Sequence, residues 1–209
     1  NGVLFLDEVG QMPKSVIEAL RGPLEDRKVS ISRLKNKIEF PASFMLVAAS
    51  NPCPCGYWGE GDRCSCTVTQ RMNYISRLSG PLMDRIDIQL WLHTVDPSKL
   101  GEKAGSDSSS IVAERILRAR EIQRERFRDE DINTNSEMNN RLMEKYCPLD
   151  PDCMELMQKL MSRGRFSMRA YFRIIKVSRT IADLEGSASI KPGHLLEAAG
   201  YPFLDKTPG

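Results

Sequence analysis

Val3-Leu4-Phe5-Leu6-Asp7-Glu8 decides how the rest of the chain is read: four apolar residues stop on two acids. An apolar run without polar alternation fits a short strand buried on both faces, as in a parallel sheet covered by helices. Ligands gather at the carboxyl ends of such strands, and two carboxylates delivered there suit the holding of Mg²⁺ and the polarising of a water. A buried strand that ends in two solvated acids fits the same letters, so the motif is weighed with its neighbours.

Phe44 to Ala49 and Ile86 to Leu92 are mostly apolar in the same way, which predicts two further strands of one parallel sheet. The second of these runs into Ala48-Ala49-Ser50-Asn51-Pro52. It brings an amide to the sheet edge of Asp7 and Glu8 if the two strands are neighbours; an ordinary Asn-Pro turn is the alternative. Leu82-Met83-Asp84-Arg85-Ile86-Asp87 leads into the third. Arg85 is either a guanidinium able to offset charge on a transferred phosphoryl group or a surface ion-pair partner of Asp84 or Asp87.

Between the first two strands, Pro13 opens a helix with Val16, Ile17, Leu20 and Leu24 on one face. Val29, Ile31, Ile38 and Phe40 then alternate with polar residues around Leu34-Lys35-Asn36-Lys37, the pattern of a hairpin with a basic tip. That tip reads equally as a solvated turn.

Gly101 to Ser110 is rich in glycine and serine, as linkers are. Helical patterns follow over Ile111 to Arg128, Glu137 to Tyr146 and Asp152 to Met161. The longest runs from an N-cap at Ser167 to Glu185 with Gly186 beyond, its core stripe Ala170, Ile174, Val177, Ile181 and Leu184; a last helix follows Pro192. The division is therefore an α/β portion over 1–95, a linker over 96–110 and a helical portion over 111–209. Arg169, Arg173 and Lys176 share a stripe of the long helix, and like charges so spaced repel unless an anion or an acid lies opposite. Arg169 falls in the first turn, where the helix dipole favours a bound phosphate over a bare cation.

The 209 residues, 41% of them hydrophobic, allow one ordinary domain or two small ones. A net charge of +2 argues against a uniformly basic nucleic-acid binder, although six cations crowd between Arg163 and Arg179. No apolar stretch approaches the roughly 18 residues of a membrane span, so no membrane partner is expected. Residue 1 is Asn and the text starts in mid-strand, which predicts a natural N-terminus further upstream.

Cys53-Pro54-Cys55 and Cys64-Ser65-Cys66 form two tight pairs among six cysteines. Four thiolates from two knuckles suit a tetrahedral Zn²⁺ with a structural role, since no histidine or open ligand position accompanies them. Free buried thiols and disulfides are the alternatives. Metal in a reducing compartment points to the cytoplasm. Cys147 and Cys153 read as ordinary helix-end residues.

Taken in order, VLFLDE, the basic hairpin, AASNPCPCG, SGPLMDRIDI and FSMRAYFRIIKVSRTIADLEG resemble the Mg-chelatase-like AAA+ ATPases of bacteria, the ComM-type competence group in particular. The resemblance runs over nearly the whole chain. It implies a partial AAA+ parallel sheet lacking the phosphate-loop strand, followed by an all-helical lid, and ATP with Mg²⁺ as cofactors of the full-length protein. By resemblance, Asp7 is the Walker B acid on the Mg²⁺ side, Glu8 the base that activates water, and Asn51 sensor 1. Arg85 matches the arginine finger reaching the neighbouring subunit, and Arg169 matches sensor 2. The hairpin matches an insertion that faces the pore in related ring motors, which makes Arg33, Lys35 and Lys37 expected DNA phosphate contacts. A homo-oligomeric ring, expected as a hexamer, and DNA are the implied partners.

One departure is large: G-x-x-x-x-G-K-[ST] occurs nowhere in the sequence. The chain by itself is therefore expected to be inactive, with a slot left between Phe44 to Ala49 and Ile86 to Leu92. Metal insertion into a porphyrin and a non-enzymatic, zinc-stabilised DNA- or protein-binding module are the alternative functions.

Overall fold

The computed structural model describes residues 2–33, 36–78, 82–92, 108–163 and 167–201. They divide after Ile86 into two compact units. The expected linker over 96–110 lies outside the described residues up to 107.

In the first unit, β1 (Gly2–Leu6) pairs in parallel with β4 (Phe44–Ala48), Leu4 opposite Leu46 and Leu6 opposite Ala48. Parallel partners need a crossover, and the intervening residues supply it. A 3-10 turn (Val9–Gln11) follows the acids, then α1 (Lys14–Ala19) and α2 (Arg21–Asp26). The single helix expected after Pro13 is thus two short ones, consistent with the poor helix formers Gly22 and Pro23 lying just beyond the junction. Ile17 is buried with Val9, Leu78 and Leu82, while Val16 faces solvent. The hairpin is present as β2 (Lys28–Arg33) and β3 (Asn36–Pro41), with Val29 opposite Phe40 and Ile31 opposite Ile38.

Two strand expectations need correction. Among the described residues the parallel sheet has two strands, and Ile86 to Leu92 forms none. Nor is the sheet covered on both faces: Val3 is 63%, Phe5 60% and Met45 60% exposed. The apolar letters of Ile86 to Leu92 record a strand's preference for burial; Gln89 N does donate to the carbonyl of Tyr201 (2.9 Å), but no ladder forms there among the described residues.

One helix escaped the sequence reading: α3 (Val68–Leu78). Its start is written in Thr67-x-x-Gln70, a capping box in which Thr67 N donates to Gln70 Oε1 (2.8 Å) and Gln70 N to Thr67 Oγ1 (3.2 Å).

The second unit is helical: α4 (Ser109–Arg126), α5 (Asn140–Tyr146), α6 (Pro151–Arg163), α7 (Met168–Leu184) and α8 (Pro192–Gly200). Ser167 caps α7 as expected, its hydroxyl accepting from Ala170 N, and Gly186 ends the helix at φ 70°. Ile174 and Ile181 join Phe127, Leu142, Met157 and Leu195 in the core. Leu184, the last of the predicted stripe, is exposed.

A buried polar cluster sits beside that core. Asp183 accepts from Arg126 Nη1 (2.7 Å), Arg179 Nε (3.1 Å) and Asn135 Nδ2 (2.8 Å). Arg179 also donates from Nη1 to the carbonyl of Ala188 (3.0 Å) and from Nη2 to that of Ser187 (2.6 Å), which ties the α7–α8 loop to the helix. No helix among the described residues is long and apolar enough to cross a membrane.

Candidate functional site

The parallel register sends Asp7, Glu8, Ser50 and Asn51 out of the sheet at the same end. Two hydrogen bonds extend the pairing past the strands, Ala49 N to the carbonyl of Leu6 (2.8 Å) and Val9 N to the carbonyl of Ala49 (3.0 Å). Asp7 turns back on itself, its Oδ1 accepting from Glu8 N at 2.9 Å. Glu8 lies at φ 49°, ψ 37°, a left-handed conformation that costs a non-glycine residue about 1–2 kcal/mol. Strain of this kind concentrates where a fold must aim a side chain, and Glu8 is solvent-exposed at the turn.

Behind the two acids the turn is tightly braced. Ser50 Oγ lies 3.3 Å from Tyr74 Oη of α3 and donates to the carbonyl of Asn51 at 3.1 Å. A β-carbon on Gly10 would sit 2.5 Å from Tyr74 Oη and 2.7 Å from Ser50 Oγ, so only glycine lets the three approach. Sequence reading missed Gly10, Ser50 and Tyr74, because nothing local in their letters announces a contact across 24 residues.

Asn51 leads into the cysteine loop. The four sulfur atoms of Cys53, Cys55, Cys64 and Cys66 lie within 4.8 Å of one another. Cys53 Sγ is 3.4 Å from Cys55 Sγ and 3.8 Å from Cys64 Sγ, and Cys55 Sγ is 3.7 Å from Cys64 Sγ. Thiolates about 2.3 Å from a tetrahedral ion are about 3.8 Å apart, so the donor set fits a metal. All six cysteines are free, and these separations are far from a disulfide's roughly 2 Å. Cys55 is pulled down to about 6, chiefly by the hydrogen bond from the Tyr57 backbone, whereas burial pushes Cys64 up and Cys66 up to about 11. Tyr57 and Trp58 carry Arg63 and Arg71 over their rings at 4.4 and 5.6 Å. Cys147 and Cys153 are buried at helix ends, as expected, and burial pushes both thiols up to about 11.

Arg85 belongs to the first unit and is bonded to Glu25 (Nε to Oε2, 3.1 Å). Arg169 is exposed in the first turn of α7, in the second unit. An acid does face its stripe: Asp87 feels Arg173, Lys176 and Arg169, although desolvation outweighs them and raises its carboxyl above the ordinary value. Arg33 and Lys37 occupy the paired ends of the hairpin strands, and Lys35 lies outside the described residues.

The family model for magnesium chelatase, subunit ChlI, matches residues 1–100, and that for the subunit ChlI C-terminal region matches residues 106–202. The chain is 43% identical over 203 residues to the "Competence protein ComM" of Haemophilus influenzae, covering 96% of this chain and 39% of that protein. It is 37% identical over 207 residues to the "Uncharacterized protein YifB" of Salmonella typhimurium, covering 99% and 40%. The chain thus spans about two fifths of the length of these relatives. Two adjoining models of one family over nearly all its residues, and a parallel sheet edge that carries the paired acids, place this chain in the Mg-chelatase-like AAA+ family, as a ComM-type member.

Proposed function

We propose that the full-length protein is an ATP-driven ring motor that remodels DNA, and that this chain carries its hydrolytic and sensing half. The supporting observation is the shared sheet edge: Leu6 opposite Ala48 sends Asp7-Glu8 and Ser50-Asn51 out together. In this reading Asp7 holds Mg²⁺, which when bound neutralises phosphate charge, and Glu8 accepts the proton of the attacking water. Asn51 orients that water or the terminal phosphate. Arg85, released from Glu25, serves the site of the adjoining protomer of a homo-oligomeric ring, a hexamer, and Arg169 reaches the nucleotide from the lid. Arg33, Lys35 and Lys37 contact DNA phosphates without reading sequence. The four cysteines hold a structural Zn²⁺. Because the sequence carries no phosphate-binding glycine loop, the chain alone is inactive.

The test is ATP turnover by the full-length protein with DNA or with porphyrin added. DNA should raise turnover, and Glu8→Gln should lower it by about 10²-fold or more. Stimulation by porphyrin and not by DNA would instead favour metal insertion. A non-enzymatic, zinc-stabilised binding module draws its support from the sulfur cluster. It predicts DNA retention on filters with no turnover at all.

A further inference from the structure

We infer that the metal knuckle and Tyr74 together form a clamp that positions Asn51. A single residue, Pro52, separates Asn51 from Cys53, whose side chain is fully buried in the sulfur cluster. Proline fixes its own φ and confines the residue before it to extended backbone, so the link between amide and metal ligand has few soft torsions. The first knuckle also folds back onto the amide. Gly56 takes φ +84° as its N–H donates to the carbonyl of Cys53 (3.0 Å), and a β-carbon there would lie 3.9 Å from both Cγ and Oδ1 of Asn51.

The second knuckle returns to the same place by another route. Cys66 runs into the Thr67 cap of α3, and its carbonyl accepts from Arg71 Nε (3.1 Å). Two turns further along α3, the Tyr74 hydroxyl meets Ser50 Oγ, the residue before Asn51. The same hydroxyl crowds Gly10 in the turn after Glu8. The loop from Ser50 to Tyr74 is therefore fastened at its base by one hydrogen bond and, across its waist, by four thiolates. Without metal, the sulfur atoms contribute contacts of 3.4 to 3.8 Å in place of bonds to a shared ion. With metal, Asn51 is held from both sides. Tyr74 in this scheme is a positioning residue, acting on Glu8 and Asn51 through the backbone that carries them.

The functional consequence rests on the hydrolytic reading of Asn51; the structural content does not. The test follows the side-chain amide of Asn51 by NMR in the chain labelled with ¹⁵N-asparagine, Asn51→Asp identifying its signals. Chelation should shift or broaden that pair, and one equivalent of Zn²⁺ should restore it. Cys64→Ser should fail to respond, whereas Cys64→His, which keeps a ligand nitrogen, should recover. Tyr74→Phe should shift the pair even with Zn²⁺ bound. In the full-length protein, removal of Zn²⁺ with Mg²⁺ then restored, and Tyr74→Phe, should each lower kcat about tenfold or more while leaving KM for ATP within about twofold, as misplacement of a reacting group does. An Asn51 pair at one position with and without Zn²⁺ overturns the clamp, whatever the turnover. If the pair does respond but no state of the protein turns over ATP, the clamp stands and the hydrolytic reading falls.

Discussion

Arg85 is bonded to Glu25, sixty positions earlier in the chain, through Nε and Nη2 onto the same carboxylate oxygen. The Arg85 side chain is only 10% exposed, so this is a seated contact rather than a loose surface pair. A finger that serves a neighbouring subunit has to leave such a seat. Arg85→Ala in the full-length protein should lower ATP turnover by about 10³-fold. Mixing Arg85→Ala subunits with Asp7→Asn subunits should recover turnover that neither has alone, since each supplies what the other lacks. Glu25→Gln should keep turnover at or above the wild-type rate. Failure of the mixture to recover would make Arg85 a brace for α2 and nothing more.

The Asp183 cluster carries a different expectation. Its carboxylate serves two arginines inside the helical unit, where Arg179 and Asp183 are each 2% exposed. Replacing both charges with apolar groups can be neutral, but removing one partner leaves the other buried without compensation. Asp183→Asn should therefore destabilise the helical unit by about 3–5 kcal/mol, read from the urea midpoint of its helical circular dichroism. A cost below about 1 kcal/mol would mean that the cluster is solvated in solution.

Much of this was legible in the letters, and the failures share a cause. The α7 boundaries were readable because an N-cap serine, a 3.6-residue stripe and a terminal glycine all act within a few residues of themselves. The hairpin and the paired acids were readable for the same reason. Ile86 to Leu92 was misread because a strand exists only through its neighbour, and the sequence of one segment does not say whether a neighbour is present. Tyr74 was missed because its importance lies in two residues, Gly10 and Ser50, that the fold brings to it. The cysteine pairs were visible as a cluster, but that their first turn packs against Asn51 was not, since Gly56 looks like any loop glycine.

Acid should loosen the second unit before alkali does. Glu130 is held below its ordinary value by the hydrogen bond from Lys145, then by that from Tyr146, with Arg141 adding charge. A depressed carboxylate contributes stability above its unfolded pKa, about 4.3, and loses it as pH falls through the folded value. Asp150 behaves likewise, lowered by the Cys153 N–H it caps at 2.8 Å. Lys145 is raised by Glu130 and keeps its share until pH climbs past 10.5. Thermal melts should thus show a midpoint that is flat near neutrality and falls below about pH 4, and Glu130→Gln should flatten that acid limb. An acid limb unchanged by Glu130→Gln would assign the loss to other carboxylates.

Gly10 offers the sharpest steric test of the braced turn. Its φ is ordinary, so alanine there meets no backbone penalty, and any effect is due to space alone. That space is absent: the new methyl would stand 2.5 Å from Tyr74 Oη, 2.6 Å from Cζ and 2.7 Å from Ser50 Oγ. Tyr74 is buried and cannot swing clear, so either α3 or the turn after Glu8 has to move. Overpacking of this kind costs about 1–3 kcal/mol. Gly10→Ala should show that loss in thermal unfolding, and Gly10→Ala with Tyr74→Phe should recover part of it by removing the closest atom. Because the two changes share one contact, their effects should be non-additive by about 0.5 kcal/mol or more. Additive effects would mean that the turn and α3 do not touch in solution.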